Sequence, residues 1–463
     1  MNENTEQPPT KRRKFKEPTK DELLQLDKED LVEQIIQLRT HNTELRNIIH
    51  KNNLETNKLS NISRNNKFDF EKCHYRRVLL RIMYFGWDHQ GYAVQEHIPN
   101  TIEMYLFHAL TKSCLIETRE KSNYHRCGRT DKGVSAFGQV ISITLRSKHA
   151  PEDQHKPEAI TSELAYCQML NRLLPNEIRA VAWMPIPDDK PQFSARFDCK
   201  RRKYKYYFPR AALNITAMND ACAYLIGSHD FRHLCKMDVG NGVMEYIREI
   251  FSADVVPVER EADDPTTMYC LVLEANAFLW HQIRCIMGIL LLVGEGKEEP
   301  SIIKELLNVE ELTRKPQYNL ALDVPLNLFH CTYELEGSMK WVYTKNELKR
   351  VIGGLQRDWT IYNIKSTMMK DCIQQLEETY AELCEGEADR TQEEKEGDRV
   401  MEYADGLLQG VRPKVYKPVL ERSTCSTLEE KIESYKRRFA KSSSFSEKKE
   451  IVKKKLENVK IIS

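Results

Sequence analysis

A chain of 463 residues, 41% apolar and 30% charged, has apolar side chains enough for two or three buried cores plus solvated tails. Its 70 Lys and Arg against 69 Asp and Glu leave a formal net charge of +1, so any nucleic-acid surface must come from local clustering of cations. The 13 cysteines stand singly without a C-x-x-C pair, which argues against a zinc ribbon or a disulfide framework, and the longest apolar stretch, near 286–293, is too short to span a bilayer.

Residues 1–22 are polar and Pro-bearing and read as a disordered basic tail; the KRRKFK cluster at 11–16 is of the nuclear-import kind. The N-terminus has Glu3 and Glu6 but no apolar h-region, unlike a secretory signal. Over 23–51, Leu24, Leu31, Leu38 and Leu45 recur every seven residues, with Ile35, Asn42 and Ile49 in the complementary register. That spacing predicts a coiled-coil-like helix, either pairing with a second strand or docked on the body. The Asn- and Ser-rich stretch 52–74 reads as a linker.

From residue 75 the texture is α+β. Strands are predicted at 78–85 and 139–145, a helix at 101–116 from the stripe Ile102, Tyr105, Leu106, Ala109 and Leu110, and a second helix at 161–174 ending before Pro175. A similar unit follows, with strands at 202–208, 245–256 and 269–278 and helices at 214–227 and 280–293. The last is strongly apolar and closed by Gly294 and Gly296. The alternation predicts two α+β lobes, 75–188 and 189–336, whose sheets join. Residues 337–463 read as a charged helical extension with a flexible acidic insertion at 385–399 and a basic tail at 436–455.

The segment richest in chemistry is YHRCGRTDKGVSAFGQV at 124–140. Gly128 and Gly133 bracket it, allowing tight bends, and Arg129 and Lys132 flank Asp131. On charge alone they are expected to hold that carboxylate ionised, ready to act as nucleophile or base.

GRTDKGVSAFGQV resembles the signature loop of the TruA-type pseudouridine synthases. Further blocks follow in that family's order: YFGWDHQGYAVQ at 84–95, NRLLP at 171–175, FSARFDCKRRKYKYYF at 193–208, GSHDFRHL at 227–234, ANAFLWHQIRCIMGILLLVG at 275–294 and ALDVPLNLFHCTYE at 321–334. The resemblance, which covers roughly 75–335, implies two fused ferredoxin-like lobes forming a continuous mixed, mostly antiparallel sheet flanked by helices. To these the sequence adds the N-terminal coiled-coil-like helix and the C-terminal helical extension.

It further implies that Asp131 is the nucleophile, that Arg129 orients it, that Arg284 pairs with it and that Tyr204 lies against the target base. Lys132, Arg201 and Arg202 are candidate RNA contacts by their charge. No cofactor and no metal is expected; the implied partners are a tRNA anticodon stem-loop and a second subunit, with no membrane. Departures from the bacterial pattern are Tyr92, His125, Arg126 and Ser135. The N-terminal extension and YKPVLERSTCSTLEEKIESYKRR at 416–438 resemble the eukaryotic branch acting on uridines 38 and 39, in nucleus and cytoplasm. The alternatives are a relative acting at positions 27 and 28, and a non-catalytic RNA-binding or scaffold protein.

Overall fold

Val78, Leu79, Leu80 and Ile82 are all buried, so the strand that carries them, β1 (His74–Tyr84), is covered on both faces. It is an inner strand of a nine-stranded sheet that also comprises β2 (His125–Arg126), β3 (Ser135–Ser147), β4 (Ile178–Pro185), β5 (Cys199–Pro209), β6 (Gly227–Asp230), β7 (Ile247–Pro257), β8 (Met268–Ala275) and β9 (Leu326–Tyr333). The order is β4-β1-β3-β9-β5-β8-β7-β6, with β2 paired to β3. Every neighbouring pair is antiparallel except β3 and β9, which run parallel through Ser135–Asn327 and Ala136–Leu328. The computed structural model describes residues 68–95, 98–259, 265–337, 339–385, 404–410 and 415–441. These fall, from Phe70 onward, in one compact unit.

Helices α1 (Ile102–Lys112), α2 (Pro157–Thr161) and α3 (Tyr166–Asn171) accompany the first four strands. There one core forms around β1, β3 and β4, with Leu106, Leu110, Tyr166 and Leu170 facing it. A second core joins β5, β7 and β8 to α4 (Ile215–Ala223), α5 (Gln282–Gly294) and α6 (Ile302–Leu307). All thirteen residues of α5 are buried, which is why its sequence lacks a polar face. Tyr204 on β5 packs against both cores. Beyond β9 run α7 (Lys345–Glu385), 41 residues long, and α8 (Leu428–Lys441).

The joined sheet and most predicted elements agree with the sequence reading, but three details differ. The helix expected over 161–174 reduces to α3, because the Glu163 carboxylate is drawn to the end of β3. There it accepts from Ser147 Oγ at 2.7 Å and Lys148 N at 2.8 Å and pairs with Arg76 at 3.0 Å. The helix expected to reach Gly227 stops at Ala223, and Gly227, at φ +110°, opens β6 instead. The short strands β2 and β4 were not anticipated. The basic tail 1–22, the helix 23–51 and nearly all of the acidic insertion lie outside the described residues.

Candidate active site

Asp131 lies on the loop that leads into β3, just where that strand meets β9. The loop is fixed by its backbone. Gly128 is clasped by the Gln139 amide, whose Nε2 donates to Gly128 O at 3.0 Å and whose Oε1 accepts from Gly128 N at 3.3 Å. Thr130 O accepts from Tyr92 N at 3.1 Å, Thr130 Oγ1 meets Tyr84 Oη at 2.8 Å, and Gly133 N donates to His89 O at 3.3 Å. Gly133 sits at φ +78°, and a Cβ there would stand 2.9 Å from the Asp323 carboxyl. Gly128, expected to be a second tight bend, has neither a positive φ nor a close neighbour.

The turn aims the Asp131 side chain at the start of α5. Trp280 Nε1 donates to Asp131 Oδ1 at 3.1 Å, and His281 Nε2 lies 3.4 Å from Oδ2. His281 is the left-handed N-cap of α5 at φ +58°, a conformation that turns Trp280 and His281 back toward the loop. One turn along, the buried Arg284 donates from Nε to Ala321 O at 2.8 Å and pairs with Asp323 at 3.9 Å. Lys236 lies 4.4 Å over the Trp280 ring.

The electrostatics reverse the sequence expectation. Burial raises the Asp131 pKa above the usual carboxylate range; Arg284, the Trp280 N–H and Lys236 pull it back, and Asp323 adds to the rise. Arg129 and Lys132 are not the groups that hold its charge. Both side chains are exposed, and no hydrogen bond or ion pair joins either to Asp131 among the described residues. The charges acting on Arg129 are Arg126, Arg196 and Glu103. His281, buried beside Arg284 and Lys236, has its pKa lowered to about 4 and is a neutral ring at pH 7.

Arg284 is a buried cation rather than a helix-surface charge, acting on Asp131 through its field while its direct partner is Asp323. Tyr204 is half-buried, edge-on to Phe278 with ring centres 5.1 Å apart. Burial raises its phenol well above the ordinary value, with Tyr84, the partner of Thr130, among the groups that act on it. The RRKYK run is largely engaged within the protein. Arg201 and Lys203 share Glu274 at 3.4 and 2.8 Å, and Arg202 donates to the carbonyls of Asn276 and Arg196.

Sequence reasoning missed Trp280, His281, Lys236 and Asp323. The first two lie beside Arg284 in a block already singled out, but nothing in their spacing reveals that the chain folds back there. The departures from the bacterial pattern have structural partners: Ser135 Oγ accepts from Gly86 N, Arg126 pairs with Glu103, His125 Nδ1 meets Ser194 Oγ and Tyr92 Oη meets Tyr124 Oη. Among the described residues one group has metal-ligand geometry, the buried thiols of Cys127, Cys199 and Cys331, all within 4.8 Å. A closed structural zinc site takes four ligands, and no fourth joins these three.

The Asp131 carboxylate thus sits at the sheet seam against a Trp, a neutral His and a buried Arg, all from one helix start. A family model described as tRNA pseudouridine synthase matches residues 221–334, the part of the chain that supplies Trp280, His281, Arg284 and Asp323. The chain is 40% identical to the tRNA pseudouridine(38/39) synthase of Mus musculus over 418 residues, 87% of this chain and 86% of the relative. It is 43% identical to the Homo sapiens protein of the same name, covering 80% and 79%. With that of Saccharomyces cerevisiae it shares 42% identity over 58% and 60% of the two chains. The chain belongs to the TruA-type tRNA pseudouridine synthase family.

Proposed function

We propose that this enzyme converts uridines 38 and 39 of the tRNA anticodon stem-loop to pseudouridine, with Asp131 as the nucleophile. The names of its relatives support the target positions. The observation that carries the chemistry is the aim of Asp131: a carboxylate turned inward to Trp280 and His281 and held under the field of Arg284.

In this isomerisation the bond from C1′ of the ribose to N1 of uracil breaks. The base turns, C1′ bonds to C5, and the proton lost from C5 is balanced by one gained at N1. The target nucleotide must leave its stack, at a cost of a few kcal/mol. Tyr204, edge-on to Phe278, offers the everted base an aromatic wall, and stacking of this kind returns ~1–3 kcal/mol per base. As a carboxylate, Asp131 attacks C1′ while the bond from C1′ to N1 breaks, and its own bond to C1′ breaks in turn when C5 joins there; Arg284 opposes the rise in pKa that burial imposes on it. Arg129, exposed beside Arg126 and Arg196, together with Lys132 and Lys236, supplies cations for the phosphates that flank the target nucleotide.

The same reading takes the body as two ferredoxin-like lobes, near 75–188 and 189–336, in a homodimer divided between nucleus and cytoplasm, with the basic cluster 11–16 as the import signal. The test is nucleotide-resolution mapping of product on transcripts carrying single uridines at 27, 28, 38 or 39. Wild type gives product at 38 and 39, and Asp131→Ala binds tRNA but gives none. Product from Asp131→Ala removes the nucleophile, and product only at 27 or 28 moves the target.

A further inference from the structure

Helix α7 is nearly all exposed, which is unusual for 41 residues, since a lone helix in water is marginal unless an apolar face is covered. Its exposed apolar side chains are not scattered. Trp359, Tyr362, Met369, Ile373 and Leu376, with the polar Ser366 at the centre, follow alternating steps of three and four, and the same steps extend back to Ile352 and on to Leu383. This is a heptad seam of more than four repeats, about 46 Å long at 1.5 Å per residue. Trp359, Leu376 and Leu383 are 65%, 69% and 70% exposed, so the body of the protein does not cover it. Where α7 meets the body, the seam residue Tyr362 touches Trp87 edge-on while staying 54% exposed, and Lys370 at the flank donates to Thr266 Oγ1. Ile361, Ile364 and Met368 extend the apolar surface beside it.

We infer that this seam pairs antiparallel with α7 of a second copy of the chain, a contact that deepens the two-subunit reading proposed above and rests on it. The register is self-complementary about its midpoint. Ser366 faces Met369 of the partner subunit, Tyr362 faces Ile373 of the partner subunit, and Trp359 faces Leu376 of the partner subunit, so large side chains meet smaller ones. The flanking positions carry no like-charge pair in this register: Lys365 lies by Cys372 of the partner subunit, Lys370 by Asn363, Asp358 by Thr379 and Gln356 by Glu377. A parallel pair would instead set Lys365 against Lys370, a repulsion. The other candidate occupant is the heptad segment 24–49. Laid parallel with Asn42 against Ser366, it brings Arg46 to Lys365 and His41 to Lys370.

A short bis-maleimide linker tests the register in the full chain, using the exposed Cys372. Lys365→Cys should give a covalent dimer that disappears in Lys365→Cys with Cys372→Ser and in Lys365→Cys with Met369→Glu and Leu376→Glu, while Leu31→Glu with Leu38→Glu leaves it unchanged. Circular dichroism should show the α7 variants folded, because the altered residues of α7 lie off both cores. No dimer band, a band that survives Cys372→Ser or the two Glu substitutions on α7, or a band lost on changing Leu31 and Leu38 overturns the inference. Sedimentation showing a dimer without the cross-link leaves the two-subunit reading standing and removes this one.

Discussion

Desolvation raises the Asp131 pKa, while burial next to Arg284 lowers that of His281 to about 4 and leaves its ring uncharged at neutral pH. Two stability predictions follow from the signs. An acid whose folded pKa lies above its unfolded value destabilises the fold once pH rises past the folded value. Asp131→Asn should therefore raise the thermal midpoint at pH 7, a gain that vanishes in acid below the unfolded carboxylate value of about 3.9. His281 is the opposite case: the unfolded ring binds a proton that the folded one rejects, so stability falls as pH drops from about 6.5 toward 4. His281→Asn, which tolerates the left-handed backbone, should flatten that part of a melting-temperature profile. Arg284→Met removes the strongest charge opposing the rise at Asp131, so the acidic limb of the rate profile should move to higher pH. An unmoved limb would sever the link between the two residues.

At the level of elements, the loop 128–134 depends on one glycine. Gly133→Ala adds a Cβ in a left-handed turn, against Asp323. Strain of this kind costs ~1–3 kcal/mol. Denaturant midpoints should show it, and the rate should fall further than stability does, since Asp131 is two residues away. Glu103 on α1 has a similar bracing role. Fully buried, it pairs with Arg126 on β2 and Arg119 and accepts from Val94 N, so that despite burial its pKa is lowered. Glu103→Ala leaves Arg126 partly buried without its anion, a change that costs ~3–5 kcal/mol for a buried pair. Periodicity located most helices and strands because each buries a stripe or a face of its own. It overran at 161–174, where a long-range pull on Glu163 breaks the turn, and it passed over β4, whose run Ile178–Pro185 has no clear alternation because both faces are largely covered.

Across the whole molecule, the Asp131 carboxylate comes from the loop before β3, the Trp, His and Arg it faces from the start of α5 and a second acid from the turn before β9. They meet because β3 and β9 pair at the seam between two cores. With net charge near zero, tRNA affinity should depend on the few cations around that seam. Log affinity should fall linearly with log salt, and Lys236→Ala should reduce the slope by about one. Asp131, Tyr204 and Arg284 could be singled out in the chain as candidates because they stand in ordered motif blocks, and a motif is a local property. The source of the Asp131 charge balance was not. Sequence neighbours suggested Arg129 and Lys132, yet the loop turns both to solvent and delivers the carboxylate to residues about 150 positions away. Covalent adjacency determined which acid is presented. Only the tertiary structure decided which charges it meets, because electrostatic partners are set by distance and desolvation in space.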